Sequence, residues 1–103
     1  MEAKDLSVQE MIAKVQGYLR NQPVERAWLF GSYSRGEQKK TSDVDILAVL
    51  TEDISLLHHA RIMVELEELL GKRVDFVIEG TLYPFAEASA NRDKILIYER
   101  PAA

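Results

Sequence analysis

The 103-residue chain has no cysteine, which excludes a disulfide framework, a thiolate metal site and a cysteine nucleophile. It also lacks long apolar runs. Segments such as Ala27–Phe30 and Ile46–Leu50 end after a few residues, far short of the roughly 20 that a bilayer-spanning helix needs. The opening MEAKDLSVQEM is acidic and polar, without the basic and then apolar order of a secretory signal. A basic excess is missing too, since 13 Lys and Arg stand against 17 Asp and Glu for a net charge of −4. Phosphate backbones draw a basic footprint, so direct binding of a long nucleic acid is not expected. Arg35, Lys39, Lys40, Lys72 and Arg73 read either as a local basic cluster or as solvated surface. No serine has an evident histidine partner for a nucleophilic triad. What remains is a cytoplasmic globular protein without a membrane span. Its composition, 47% hydrophobic and 29% charged, is that of a folded chain. Its length fits one domain over residues 1–103, with a tail from 99.

Hydrophobic periodicity supplies the elements. Ser7 and Glu10 fit a capping box, and Leu6 and Met11 a hydrophobic staple, at the start of a helix. Val8, Met11, Ile12, Val15, Tyr18 and Leu19 give that helix one apolar stripe, and Asn21 and Pro23 stop it. Val24–Phe30 reads as a strand that breaks at Gly31-Ser32, and Asp43–Leu50 reads as a second. Residues 54–70 turn helical again up to a Gly71 C-cap. A third strand spans Arg73–Ile78, a short helix carries Pro84 in its first turn, and a last strand covers Ile95–Tyr98. The order predicts an α/β (α+β) domain on one mixed sheet of about four strands flanked by helices. Twelve residues, Gly31 to Ser42, separate the first two strands. A parallel crossover needs a dozen or more including its helix, so this pair is expected to be antiparallel. That arrangement sets the end of strand one beside the start of strand two.

The residues at those two ends are unusual. Asp43 and Asp45 stand at i and i+2 on a strand, so both carboxylates share one face. Two like charges at that spacing repel and raise each other's pKa unless a cation intervenes. Hard oxygen ligands of this kind suit Mg²⁺, which takes one or two protein carboxylates together with substrate phosphates. Gly31 allows a close backbone approach and Ser32 adds a hydroxyl donor, a pairing able to face a phosphate. The segment is neither a P-loop nor a G-x-G-x-x-G turn. Asp75 interrupts the apolar run Val74, Phe76, Val77, Ile78, where a charge is costly without a partner. If the third strand neighbours the second, Asp75 joins the other two acids. His58 and His59 are adjacent on a helix, diverge by about 100° and do not readily share a metal. Trp28 reads as core of the first strand, and Tyr83, Phe85 and Tyr98 as core or interface aromatics.

Gly31-Ser32, ten residues, Asp43-Val44-Asp45 and a later strand aspartate at Asp75 together resemble the DNA polymerase β-like nucleotidyltransferase superfamily. GSYSRGEQKKTSDVDILAV, with the ending VDFVIEGTLYPFAEASANRDKILIYE, resembles its minimal nucleotidyltransferase branch, and the likeness runs from the first helix to Glu99. The resemblance implies a nucleotidyltransferase fold and an enzyme that transfers AMP from ATP to a hydroxyl. It makes Asp43, Asp45 and Asp75 catalytic and ligands of two Mg²⁺ ions. Gly31 and Ser32 become nucleotide-binding residues, and Arg35 a triphosphate contact or a solvated loop arginine. It also implies pairing with a HEPN-domain toxin ribonuclease, modified on a tyrosine by this chain acting as antitoxin, in a homo- or hetero-oligomer. Two other functions fit the same residues. One is an antitoxin that neutralises its partner by occlusion, and the other is an antibiotic-modifying nucleotidyltransferase with a separate substrate-binding subunit.

Overall fold

The computed structural model describes residues 7–39, 41–79 and 93–101. The short helix around Pro84, the aromatics Tyr83 and Phe85, and the staple residue Leu6 lie outside them. The elements are α1 (Val8–Leu19), β1 (Val24–Phe30), a 3-10 turn (Gly31–Tyr33), β2 (Val44–Leu50), α2 (Leu56–Leu70), β3 (Val74–Ile78) and β4 (Ile95–Glu99). The sheet order is β3-β2-β1-β4. β1 pairs antiparallel with β2 and with β4, while β2 and β3 run parallel. The four-stranded mixed sheet and its antiparallel first pair agree with the sequence expectation.

Local chemistry accounts for both helices. At α1 the Ser7 hydroxyl accepts from Glu10 N–H while Glu10 accepts from Ser7 N–H, closing the capping box. Such a cap contributes about 1 kcal/mol. Ser55 caps α2 through His58 N–H, and Gly71 ends it in the left-handed region at φ 67°. The periodic residues Met11, Val15 and Leu19 of α1 and Ile62, Leu66 and Leu70 of α2 are buried. They pack with Val24, Ala27 and Leu29 of β1, Val44, Ile46 and Ala48 of β2, and Val74 and Phe76 of β3. Strand alternation therefore sends Asp45 and Asp75 to the sheet face opposite this core.

Two features depart from simple alternation. Leu47 is fully buried on the second face, outside the main core cluster. Trp28, its β1 partner on that face, is half-buried beneath the Lys94 ammonium, 4.1 Å from the ring centroid. Trp28 is thus a cation–π platform rather than the core residue expected, because its parity in β1 is that of the second face. On the opposite flank, β4 bulges against β1 between the pairs Ala27–Tyr98 and Trp28–Leu96, leaving Ile97 without a ladder partner. The Gln16 side-chain amide donates to that spare Ile97 carbonyl at 2.7 Å.

Candidate active site

The antiparallel register sets Phe30 opposite Asp45, and the parallel register sets Asp45 beside Asp75. The end of β1 and the starts of β2 and β3 thus converge on one point. The Asp75 carboxyl lies close enough to that of Asp45 to raise the Asp45 pKa. Asp43 precedes β2 on the same face, is exposed, and adds a through-space negative charge at Asp45. Partial burial comes first in raising the Asp45 pKa, followed by the Asp75 hydrogen bond and the Asp75 and Asp43 charges. Against the opposing pull of Arg35, they push it up to about 6.

Gly31 explains how Asp45 fits. The chain turns there at φ 72°, in the left-handed region, as it leaves β1 for the 3-10 turn. A β-carbon on Gly31 would overlap Asp45 Oδ2 and stand 3.2 Å from its Cγ. Glycine is therefore required twice over, by backbone conformation and by the carboxylate against it. Ser34 N–H and Ser34 Oγ both donate to the Gly31 carbonyl, at 3.2 and 2.8 Å, and Glu37 N–H donates to the Ser32 carbonyl at 2.9 Å. These bonds fix the turn and leave the Ser32 hydroxyl without a hydrogen bond among the described residues. Arg35 lies on the same loop. Its Nε bonds Glu37 at 2.7 Å, a terminal nitrogen is 4.0 Å from Asp93, and its charge reaches Asp45.

The carboxylates form a crowded donor set of hard oxygens, a charge density that a divalent cation would relieve. Among the described residues no three acidic or histidine groups close into a ready-made cation cage. Asp45 and Asp75 meet at the sheet end, and Asp43 is exposed beside them. The site therefore fits a cation that arrives with other oxygen ligands, as Mg²⁺ does on a triphosphate. The histidines belong elsewhere. His58 bonds Gln22 Oε1 at 3.0 Å, and His59 bonds the Phe76 carbonyl. Tyr98 is buried in the core. Among the described residues no helix is long and apolar enough to cross a membrane.

Helices packed on a four-stranded mixed sheet with this acidic corner define a class, the nucleotidyltransferase fold. A solved chain named "putative minimal nucleotidyltransferase" superposes with a TM-score of 0.70 at 37% identity, covering 84% of this chain and 88% of that one. The model of the nucleotidyltransferase domain family matches residues 12–101. The chain belongs to that family and is an enzyme of nucleotidyl transfer. A Methanocaldococcus jannaschii protein named "Putative protein adenylyltransferase MJ0435" is 42% identical over 91 residues, covering 88% of this chain and 92% of the relative. The same fold occurs in a complex of the tri-AMPylated Shewanella oneidensis HEPN toxin with its MNT antitoxin, at a TM-score of 0.72 and 19% identity. That match covers 88% of this chain and 71% of the solved one.

Proposed function

We propose that this chain transfers AMP from ATP to a hydroxyl, a tyrosine of a HEPN-type partner toxin, and so acts as its antitoxin. The observation that carries the reading is the Asp45–Asp75 contact, with Asp43 beside it and Gly31 packed against Asp45. Nothing in a purely structural role calls for crowding like charges at a strand end. The adenylyltransferase name of the 42%-identical relative supports AMP as the group transferred. The tri-AMPylated HEPN toxin supports a protein acceptor.

In this mechanism Asp43, Asp45 and Asp75 are the residues that would hold two Mg²⁺ ions. Bound there, magnesium supplies neutralisation of the carboxylate and triphosphate charge and lowers the pKa of an attacking hydroxyl. The Ser32 hydroxyl and the Gly31 backbone bind the β- and γ-phosphates. Arg35 adds a guanidinium contact to the triphosphate once it exchanges Glu37 for phosphate oxygen. Asp75, exposed at the sheet end, takes the acceptor's hydroxyl proton. The acceptor oxygen then bonds the α-phosphorus as the bond to the bridging β-phosphate oxygen breaks and pyrophosphate leaves. The protein's contribution is positioning and charge placement, with little covalent work.

The test is the intact mass of the partner protein co-purified with wild type and with an Asp43→Asn, Asp45→Asn double variant. A partner heavier by one or more AMP groups with wild type alone is the expected result. An unmodified partner held equally by both would refute transfer and leave neutralisation by occlusion. Transfer to an aminoglycoside and to no protein would identify a small-molecule enzyme.

A further inference from the structure

We propose that Glu67 and His59 of α2 are positioning residues that clamp β3 by its outer edge and so hold Asp75 against Asp45. The inference rests on the reading of Asp75 given above.

Among the described residues β3 is an edge strand, in the order β3-β2-β1-β4. At one end of its pairing Val44 N–H donates to the Arg73 carbonyl, and at the other Glu79 N–H donates to the Ala48 carbonyl. In a parallel ladder of that phase, residues 73, 75, 77 and 79 bond to β2, while the polar groups of Val74, Phe76 and Ile78 face outward. Outward groups of an edge strand normally go to water or to another chain. Here α2 takes two of them. Glu67 Oε2 accepts from Val74 N–H at 3.1 Å, and His59 Nε2 bonds the Phe76 carbonyl at 2.5 Å. A carbonyl only accepts, so the hydrogen sits on His59 Nε2. The His59 ring also packs against Phe76, with centroids 5.8 Å apart.

The two clamped residues are the immediate neighbours of Asp75 on either side. Asp75 is thus held inward by β2 and pinned outward at both flanking peptides. The restraint matters because, among the described residues, this five-residue strand has a strand neighbour on one side only, so α2 is what fixes the outer side of the peptides flanking Asp75. α2 supplies it from a rigid platform, with its own core face buried through Ile62, Leu66 and Leu70. A carboxylate that moves by about 1 Å loses much of its effect on a bound cation or a reacting atom.

The test compares the full chain with His59→Ala, Glu67→Ala and the double alanine variant, and with a His59→Gln, Glu67→Gln pair that keeps a donor and an acceptor at similar reach. The first readout is amide exchange at Val74, expected to quicken at least tenfold in Glu67→Ala and to stay near wild type in the glutamine pair. The second is Mn²⁺ affinity followed by electron paramagnetic resonance in the presence of ATP, at a temperature where every variant tested is folded. It is expected to weaken about 10- to 100-fold in the double alanine variant and to recover in the glutamine pair. If the double variant does not fold, the two single variants are each expected to weaken Mn²⁺ binding at least threefold. Wild-type Mn²⁺ affinity alongside lost Val74 protection would overturn the proposal, leaving a structural edge cap. Asp75→Asn separates the two ideas. If that variant binds Mn²⁺ like wild type, the reading of Asp75 fails, whereas loss there with retention in the alanine variants removes the clamp alone.

Discussion

Replacing Asp45 with Asn is expected to stabilise the folded chain while abolishing transfer. An ordinary aspartate titrates near 3.8, and Asp45 is pushed up to about 6 by partial burial and by its acidic neighbours. The difference corresponds to about 3 kcal/mol at 1.36 kcal/mol per pH unit. Asp45 is only partly buried, so solvent screening reduces this to about 1 kcal/mol. The sign follows from proton binding. Between pH 3.8 and about 6 the folded chain retains a proton that the unfolded chain has released, so stability falls as pH rises through that window. Asparagine keeps the shape and never ionises. Melting curves of both proteins at pH 4, 5, 6 and 7.5 should nearly coincide at pH 4 and separate by about 5 °C at pH 7.5, with the variant higher. A gap that does not change with pH, or a less stable variant at pH 7.5, would refute charge crowding as the state of this site.

Gly31→Ala should remove activity and destabilise by about 1–3 kcal/mol through the positive φ and the overlap with Asp45. In an Asp45→Gly background the cost should shrink, and a chemical-denaturation double-mutant cycle measures that coupling. Ser7→Ala removes the α1 cap and should cost about 1 kcal/mol by urea unfolding, with transfer unchanged at 25 °C. Leu66→Ala opens the centre of the core and should cost about 2–5 kcal/mol in the same assay. The Tyr18 phenol, partly buried and donating to Glu65 at 2.6 Å, has its pKa raised by that burial and by the nearby carboxylate. In an alkaline absorbance titration one tyrosine should therefore ionise late, and Tyr18→Phe should remove that phase.

The legible parts were those whose cause is local or periodic. The capping box needs two residues three apart, and the core faces of both helices repeat at helical spacing. The antiparallel pairing of β1 with β2 followed from a connection too short for a comfortable crossover, and it sets the Gly31 turn beside the Asp43–Asp45 strand end. The rest depended on contacts between distant segments. Gly31 reads in sequence as a place of close approach, but nothing local shows that the Asp45 carboxylate packs against it. The parallel register that sets Asp75 beside Asp45 has no local signature, and Asp75 could be tied to the pair only on condition that β3 neighbours β2. Trp28 sits within the apolar run Ala27–Phe30, which hid its orientation toward Lys94. Glu67 and His59 carry no motif, since a residue that caps a distant strand edge looks like any polar residue on a helix.

The placement of β4 has a consequence for how the protein is made. β1 is finished at residue 30, yet one of its two edges receives its partner only with residues 95–99. At about 5–20 residues per second, the ribosome leaves that edge open for some 3 to 13 seconds after β1 emerges. Within that interval β1, β2 and β3 can pair and α2 can dock. The Gln16 side chain of α1, however, has no Ile97 carbonyl to bond until β4 arrives. Translation speed across residues 31–94 therefore sets how long one open edge of β1 is presented to the cell.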